Sequence, residues 1–153
     1  MNTVFSERKI IMEQISCILN GYYKNASVGI DAIEAILPKV KNEDLSKELY
    51  KQMDYYKEQK ANLNKQMQKN NITPESQGTM AKICTDMTIA VHSIGGMDTH
   101  EIAKLMTEGT NMGIIEMVQT MNENKDVPEN IKRQGKEMVR REEAYIERLK
   151  PYL

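Results

Sequence analysis

In EMVRREEAYIERL, Glu142 stands four residues after Met138 and three before Tyr145, on the apolar seam of a helical pattern. A carboxylate on a buried seam is costly unless a proton, a partner or a metal takes up its charge. Two further acids approach seams elsewhere: Glu34, with Asp31 one turn earlier, and Glu116 beside Gly109 and Gly113. Carboxylates converging from separate helices can hold iron or manganese in a bundle core, since oxygen ligands suit such ions. Glu34, Glu116 and Glu142 are therefore the candidate metal ligands. Lys60, another charged residue on a seam, either snorkels its amine to water, the favoured outcome, or meets Glu142 as its partner.

Di-metal bundles complete their carboxylates with Glu-x-x-His units, whose spacing puts both ligands on one helical face. Ile89 stands three residues before His92 and Met97 three before His100, so neither histidine forms such a unit. The nearest formal substitute is Glu142-x-x-Tyr145, and a phenol does not replace an imidazole. The sequence shows no GxSxG elbow, P-loop or dinucleotide fingerprint, and Cys17 and Cys84 make no nucleophile arrangement with the histidines. No catalytic residue and no organic cofactor site is expected. The GGMDTHE segment reads as a capped turn that places His100 in a solvent-facing first turn.

Five helical segments must position these groups. The first carries a four-three stripe of Ile11, Ile15, Ile18, Tyr22, Asn25, Gly29, Ala32 and Ile36, ending at Pro38. Over about 30 residues it spans roughly 45 Å, a length suited to a bundle. The second, capped by Asn42, covers about 43–70 with Leu45, Leu49, Met53, Tyr56, Lys60, Leu63 and Met67. Thr73 and Pro74 open a third, with Met80, Cys84, Met87, Val91 and Ile94 on its stripe. Asp98 with Glu101, and Asp126 with Glu129, give capping-box signatures for the fourth and fifth. The fifth carries Ile131, Gly135, Met138, Glu142, Tyr145 and Leu149. Short loops make neighbours antiparallel, so the expectation is one all-α domain over residues 1–153: an up-and-down bundle of about five helices.

In the fourth segment Gly109 and Gly113 together forfeit about 2 kcal/mol of helix propensity relative to alanine. Close helix approach would offset that loss, and Ala26, Gly29 and Ala32 give the first segment a matching face of small residues.

Composition narrows the function classes. The 153 residues are 40% hydrophobic and 28% charged at net charge -1, which suits a globular chain without global attraction for nucleic acid or anionic lipid. In the fifth segment acids alternate with bases, as on a solvated ion-pair face. No apolar run is long enough for a membrane span, and two distant cysteines suit buried thiols in the reducing cytoplasm. Twelve methionines fill irregular gaps or supply a yielding groove.

Three stretches, NASVGIDAIEAILPKV at 25–40, MDTHEIAKLMTEGTNMGIIEMV at 97–118 and EEAYIERLKPYL at 142–153, carry a resemblance to a known family. The chain resembles the uncharacterised Met-rich helical-bundle proteins of anaerobic Firmicutes, grouped with the ferritin-like superfamily. That resemblance implies a long ferritin-like bundle, and some members of that superfamily bind two metals for oxygen chemistry. The function expected is non-enzymatic: self-association, with a homodimer favoured, or binding of a protein partner. The alternative is a divergent carboxylate-bridged oxidoreductase using iron or manganese at Glu34, Glu116 and Glu142.

Overall fold

A computed structural model describes residues 2–75 and 97–153. They form four long helices: α1 (Asn2–Ile36), α2 (Glu43–Lys69), α3 (Thr99–Glu123) and α4 (Glu129–Leu149). Single turns of 3-10 helix, Leu37–Lys39 and Lys150–Tyr152, close α1 and α4. Among the described residues there is no strand, so the all-α expectation holds for them. The stripe expected from Met80 to Ile94, with His92 and Cys84, lies outside the described residues.

The pairings give the directions. Gly29 meets Tyr56 and Tyr23 meets Lys60, so α1 and α2 are antiparallel. Gly21 meets Thr120 and Asn25 meets Gly113, so α1 and α3 are antiparallel too. Tyr56 reaches Glu142 and Glu48 reaches Arg148, which makes α2 and α4 antiparallel. Around the bundle the order is α1, α2, α4, α3, with α1 facing α4 across the middle.

Local chemistry sets the helix ends. The Asn42 side chain accepts the Leu45 N–H at 2.9 Å and starts α2. Asp98 and Glu101 exchange the two bonds of the expected capping box at α3, 2.8 and 3.0 Å. The box expected at Asp126 and Glu129 does not form. Pro128 disfavours helical backbone at Val127, so α4 starts only after the proline, which itself takes the cap position. Asp126 turns to α1 instead: its N–H donates to Gln14 Oε1 at 2.9 Å. At the end of α2, Asn71 takes the left-handed conformation (φ 54°). There the Ile72 and Asn71 N–H groups donate back to Met67 and Gln68 carbonyls, a Schellman ending.

Hydrophobic periodicity sorts the faces as the spacing implies. Every expected seam residue of α4 is buried, and on α2 all but Lys60 are. The α1 stripe behaves differently at its start, because Ile11 is 37% exposed and burial begins at Ile15, with Asn25 and Gly29 only partly buried further along. With 35 residues α1 is about 52 Å long, against about 31 Å for the 21 residues of α4, so its opening turns overhang. Cys17 is exposed, not buried as expected, because it stands off the seam.

Two apolar clusters fill the interior. One gathers Ile33, Leu45, Leu49, Ile102, Tyr145 and Leu149 near the α1–α2 turn. The other gathers Ile18, Leu19, Tyr22, Leu63, Met117 and Met138 toward the opposite end. Glu142 falls between them, flanked by Met138 and Tyr145 on its own seam.

Candidate functional site

The level between the clusters is polar because three seams present a polar group there: Asn25 on α1, Tyr56 on α2 and Glu142 on α4. Glu142 is 1% exposed. Its Oε1 accepts from Asn25 Nδ2 at 2.6 Å and from the Tyr56 hydroxyl at 2.8 Å. Its Oε2 is buried and has no hydrogen-bond partner among the described residues. Burial pushes the Glu142 carboxyl up to about 7, with the Asn25 and Tyr56 bonds pulling the other way. Burial, and then the Glu142 charge, push the Tyr56 hydroxyl well above its ordinary range. Lys60, the alternative partner for Glu142, lays its amine over the Tyr23 ring, 5.4 Å from the centroid.

Glycines shape the space around this layer. A β-carbon on Gly29 would strike the Tyr56 ring, and one on Gly113 would strike Asn25 Oδ1. The same Gly113 β-carbon would stand 4.0 Å from Glu142 Oε2. Gly109 and Gly113 do face the small-residue side of α1, as expected. They do not bring the backbones into contact along their length, however: a cavity of about 370 Å³ opens between α1 and α3. Val28, Ala32, Leu105 and Met106 give it apolar walls, while Asn25 and Tyr56 form part of its lining. At its edge Lys24 pairs with Glu116 at 3.6 Å. Nearer the middle of α1, a would-be β-carbon on Gly21 would stand 3.2 Å from Thr120 Cγ2 of α3.

The three candidate metal ligands do not assemble. Glu34 is exposed, Glu116 is exposed and paired with Lys24, and Glu142 alone is buried. Among the described residues no group of three or more His, Cys, Asp or Glu side chains is placed to hold a metal ion. His100 is exposed beyond the α3 cap, as its position implies. Among the described residues the cavity lining contains neither histidine nor cysteine. Chemically the arrangement offers one buried carboxyl group poised between its two protonation states near neutrality, behind an apolar cleft.

Asn25 and Tyr56 are the functional residues that sequence reasoning did not assign as partners of Glu142. Both stand on recognised seams, and the signal was their hydrogen-bonding capacity at positions otherwise apolar. No protein-family model, curated protein or solved structure matches the chain. The site is therefore read from its own geometry. Among the described residues no helix is long and apolar enough to cross a membrane.

Proposed function

We propose that this chain is a non-enzymatic bundle that binds a small molecule in the cleft between α1 and α3. The carrying observation is the cavity itself: about 370 Å³, walled mainly by apolar side chains, with convergent polar groups at its inner side. That size and mixture are those of small-molecule pockets. A ferritin-like assignment of the fold belongs to the same proposal, supported by four long helices with antiparallel neighbours. The iron or manganese oxidoreductase alternative draws no support from the positions of Glu34 and Glu116.

The test is a titration of the isotope-labelled full chain with benzyl alcohol, a compact and mostly apolar probe, followed by two-dimensional NMR. Saturable shifts of the Val28, Gly109 and Gly113 amides, lost in Gly109→Leu with the remaining spectrum intact, are expected. Absence of saturable shifts at these residues refutes the reading.

A second reading, assembly of copies of this chain, is favoured by exposed apolar side chains. Val4 and Phe5 on the overhanging turns of α1 are 54% and 78% exposed, and Met112 and Ile115 on α3 are 64% and 56%. Light scattering over a concentration series tests it, and a mass that stays monomeric throughout rules it out.

A further inference from the structure

The cleft between α1 and α3 is graded along its length. The two helices are antiparallel, with Asn25 against Gly113, so its walls run from Lys24 and Glu116 at one end to Ala32 and Leu105 at the other. From Lys24 to Ala32 is roughly 12 Å of helix. Among the described residues of the lining, charge sits at the first end only, on Lys24 and Glu116. Further in, the polar side chains turn their hydrogens away. The Thr110 hydroxyl donates to the Met106 carbonyl at 2.7 Å, and the Tyr56 hydroxyl donates to Glu142 at 2.8 Å. Val28, Ala32 and Leu105 add only apolar surface. A ligand that follows this gradient has one charged end and an unbroken apolar body.

The ion pair at the charged end is uneven, and that decides the sign. Lys24 Nζ and Glu116 Oε2 stand 3.6 Å apart, beyond hydrogen-bonding range. The Glu116 side chain is 58% exposed and that of Lys24 29%. Glu116 therefore gives up little by turning to water, since exposed ion pairs contribute at most about 1 kcal/mol. Lys24 runs its stem along the cleft and holds its amine where attraction is less screened. A ligand's anion can replace Glu116 at that amine, whereas a ligand's cation would have to displace the more deeply held lysine.

Resting on the small-molecule reading above, we propose that the ligand is a straight-chain carboxylate of the fatty-acid class. Its head takes the Lys24 amine from Glu116 at the edge of the cleft. Its chain runs inward past Val28 toward Ala32 and Leu105. Gly109 lines the passage midway without a side chain, which leaves the chain its width.

Octanoate, octan-1-ol and octylamine share one chain and differ in the head. Each is titrated into the isotope-labelled full chain at pH 6, below the value of about 7 at which Glu142, behind Asn25 and Tyr56, loses its proton. Octanoate is expected to bind about ten-fold more tightly than octan-1-ol, with octylamine weakest. In Lys24→Met octanoate should lose that margin while octan-1-ol binds as before. Glu116→Gln removes the competing carboxylate, so octanoate should bind more tightly there than to the unaltered chain. In the unaltered chain, intermolecular NOEs should join the terminal methyl of octanoate to Ala32 and Leu105, and its C2 protons to Lys24. Octanoate no tighter than octan-1-ol, a preference for octylamine, a margin that survives Lys24→Met, no tightening in Glu116→Gln, or NOEs with the chain reversed or elsewhere each overturn the carboxylate assignment. The cleft reading then still stands on benzyl alcohol. Failure of these three probes and of benzyl alcohol alike overturns both.

Discussion

Placing a carboxyl group between two apolar clusters should make folding depend on pH in a way traceable to one residue. Glu142 moves from an ordinary value of 4.5 to about 7 on folding, with burial as the largest cause. The folded chain thus keeps the proton over a range where the unfolded chain releases it. The contribution of Glu142 to stability is greatest below pH 4.5, falls as pH rises toward 7 and levels off above it. The displacement corresponds to about 3 kcal/mol between those limits. Other displaced groups act outside this window. Burial pushes Tyr22 up to about 12 and also raises Tyr55, Tyr56 and Tyr145 above their ordinary value. The exposed Glu137 is lowered by its bonds to Arg140 and Arg141. Glu142→Gln keeps an oxygen to accept from Asn25 and Tyr56 and puts a buried amide donor where the protonated acid puts its hydroxyl. The two chains should therefore be nearly equal in stability at pH 5, and the variant more stable by about 3 kcal/mol at pH 8. Urea denaturation at several pH values and fixed ionic strength measures this. Parallel profiles for the two chains between pH 5 and 8 refute the reasoning.

A methyl group at Gly135 would collide with the Tyr22 hydroxyl and Met121 Sδ, so Gly135→Ala should cost about 1–3 kcal/mol despite its better helix propensity. Tyr22→Phe removes the 3.0 Å bond that the hydroxyl donates to the Ile131 carbonyl and should cost about 1 kcal/mol. In the double variant the two losses should not add, and strict additivity in denaturation would show that the collision lies elsewhere. Gly113→Ala should displace Asn25 from Glu142, and losing a bond to the charged form should raise the Glu142 titration midpoint above 7. An unchanged midpoint in a carboxyl-observed NMR titration refutes that. Asn42→Ala should lower stability by about 1 kcal/mol through loss of the α2 cap, and an unchanged urea midpoint would count against it.

The seams were legible because periodicity is a local property. Four-three spacing found the buried face of α4 and all of α2 but Lys60, and it located Glu142 on a seam. It did not find the partners of Glu142, because Asn25 and Tyr56 lie 117 and 86 residues away and reach it only through the register between helices. The glycines show the same boundary. Their propensity cost signals that something occupies the vacant space, but packed backbone, a neighbouring side chain and a cavity would all leave the same trace in sequence. Ile11 was misplaced because a periodic stripe does not state where its neighbours end, and Cys17 because cysteine usage does not state which helix face a thiol occupies. At Asp126 a sound capping signature yielded to the stronger backbone restriction imposed by Pro128.

The polar layer also acts as an alignment mark during assembly. Moving α4 one turn along its neighbours would bring Glu142 to the level of Met138 or of Tyr145, inside one apolar cluster or the other. There the carboxyl would lose both Asn25 and Tyr56, and both donors would lose their acceptor. Apolar side chains tolerate such sliding because many of them interchange at similar volume, whereas three interlocked polar groups have one common position. A chain whose seams are rich in adaptable methionine gains from the layer what its hydrophobic residues do not provide: a single permitted offset between helices.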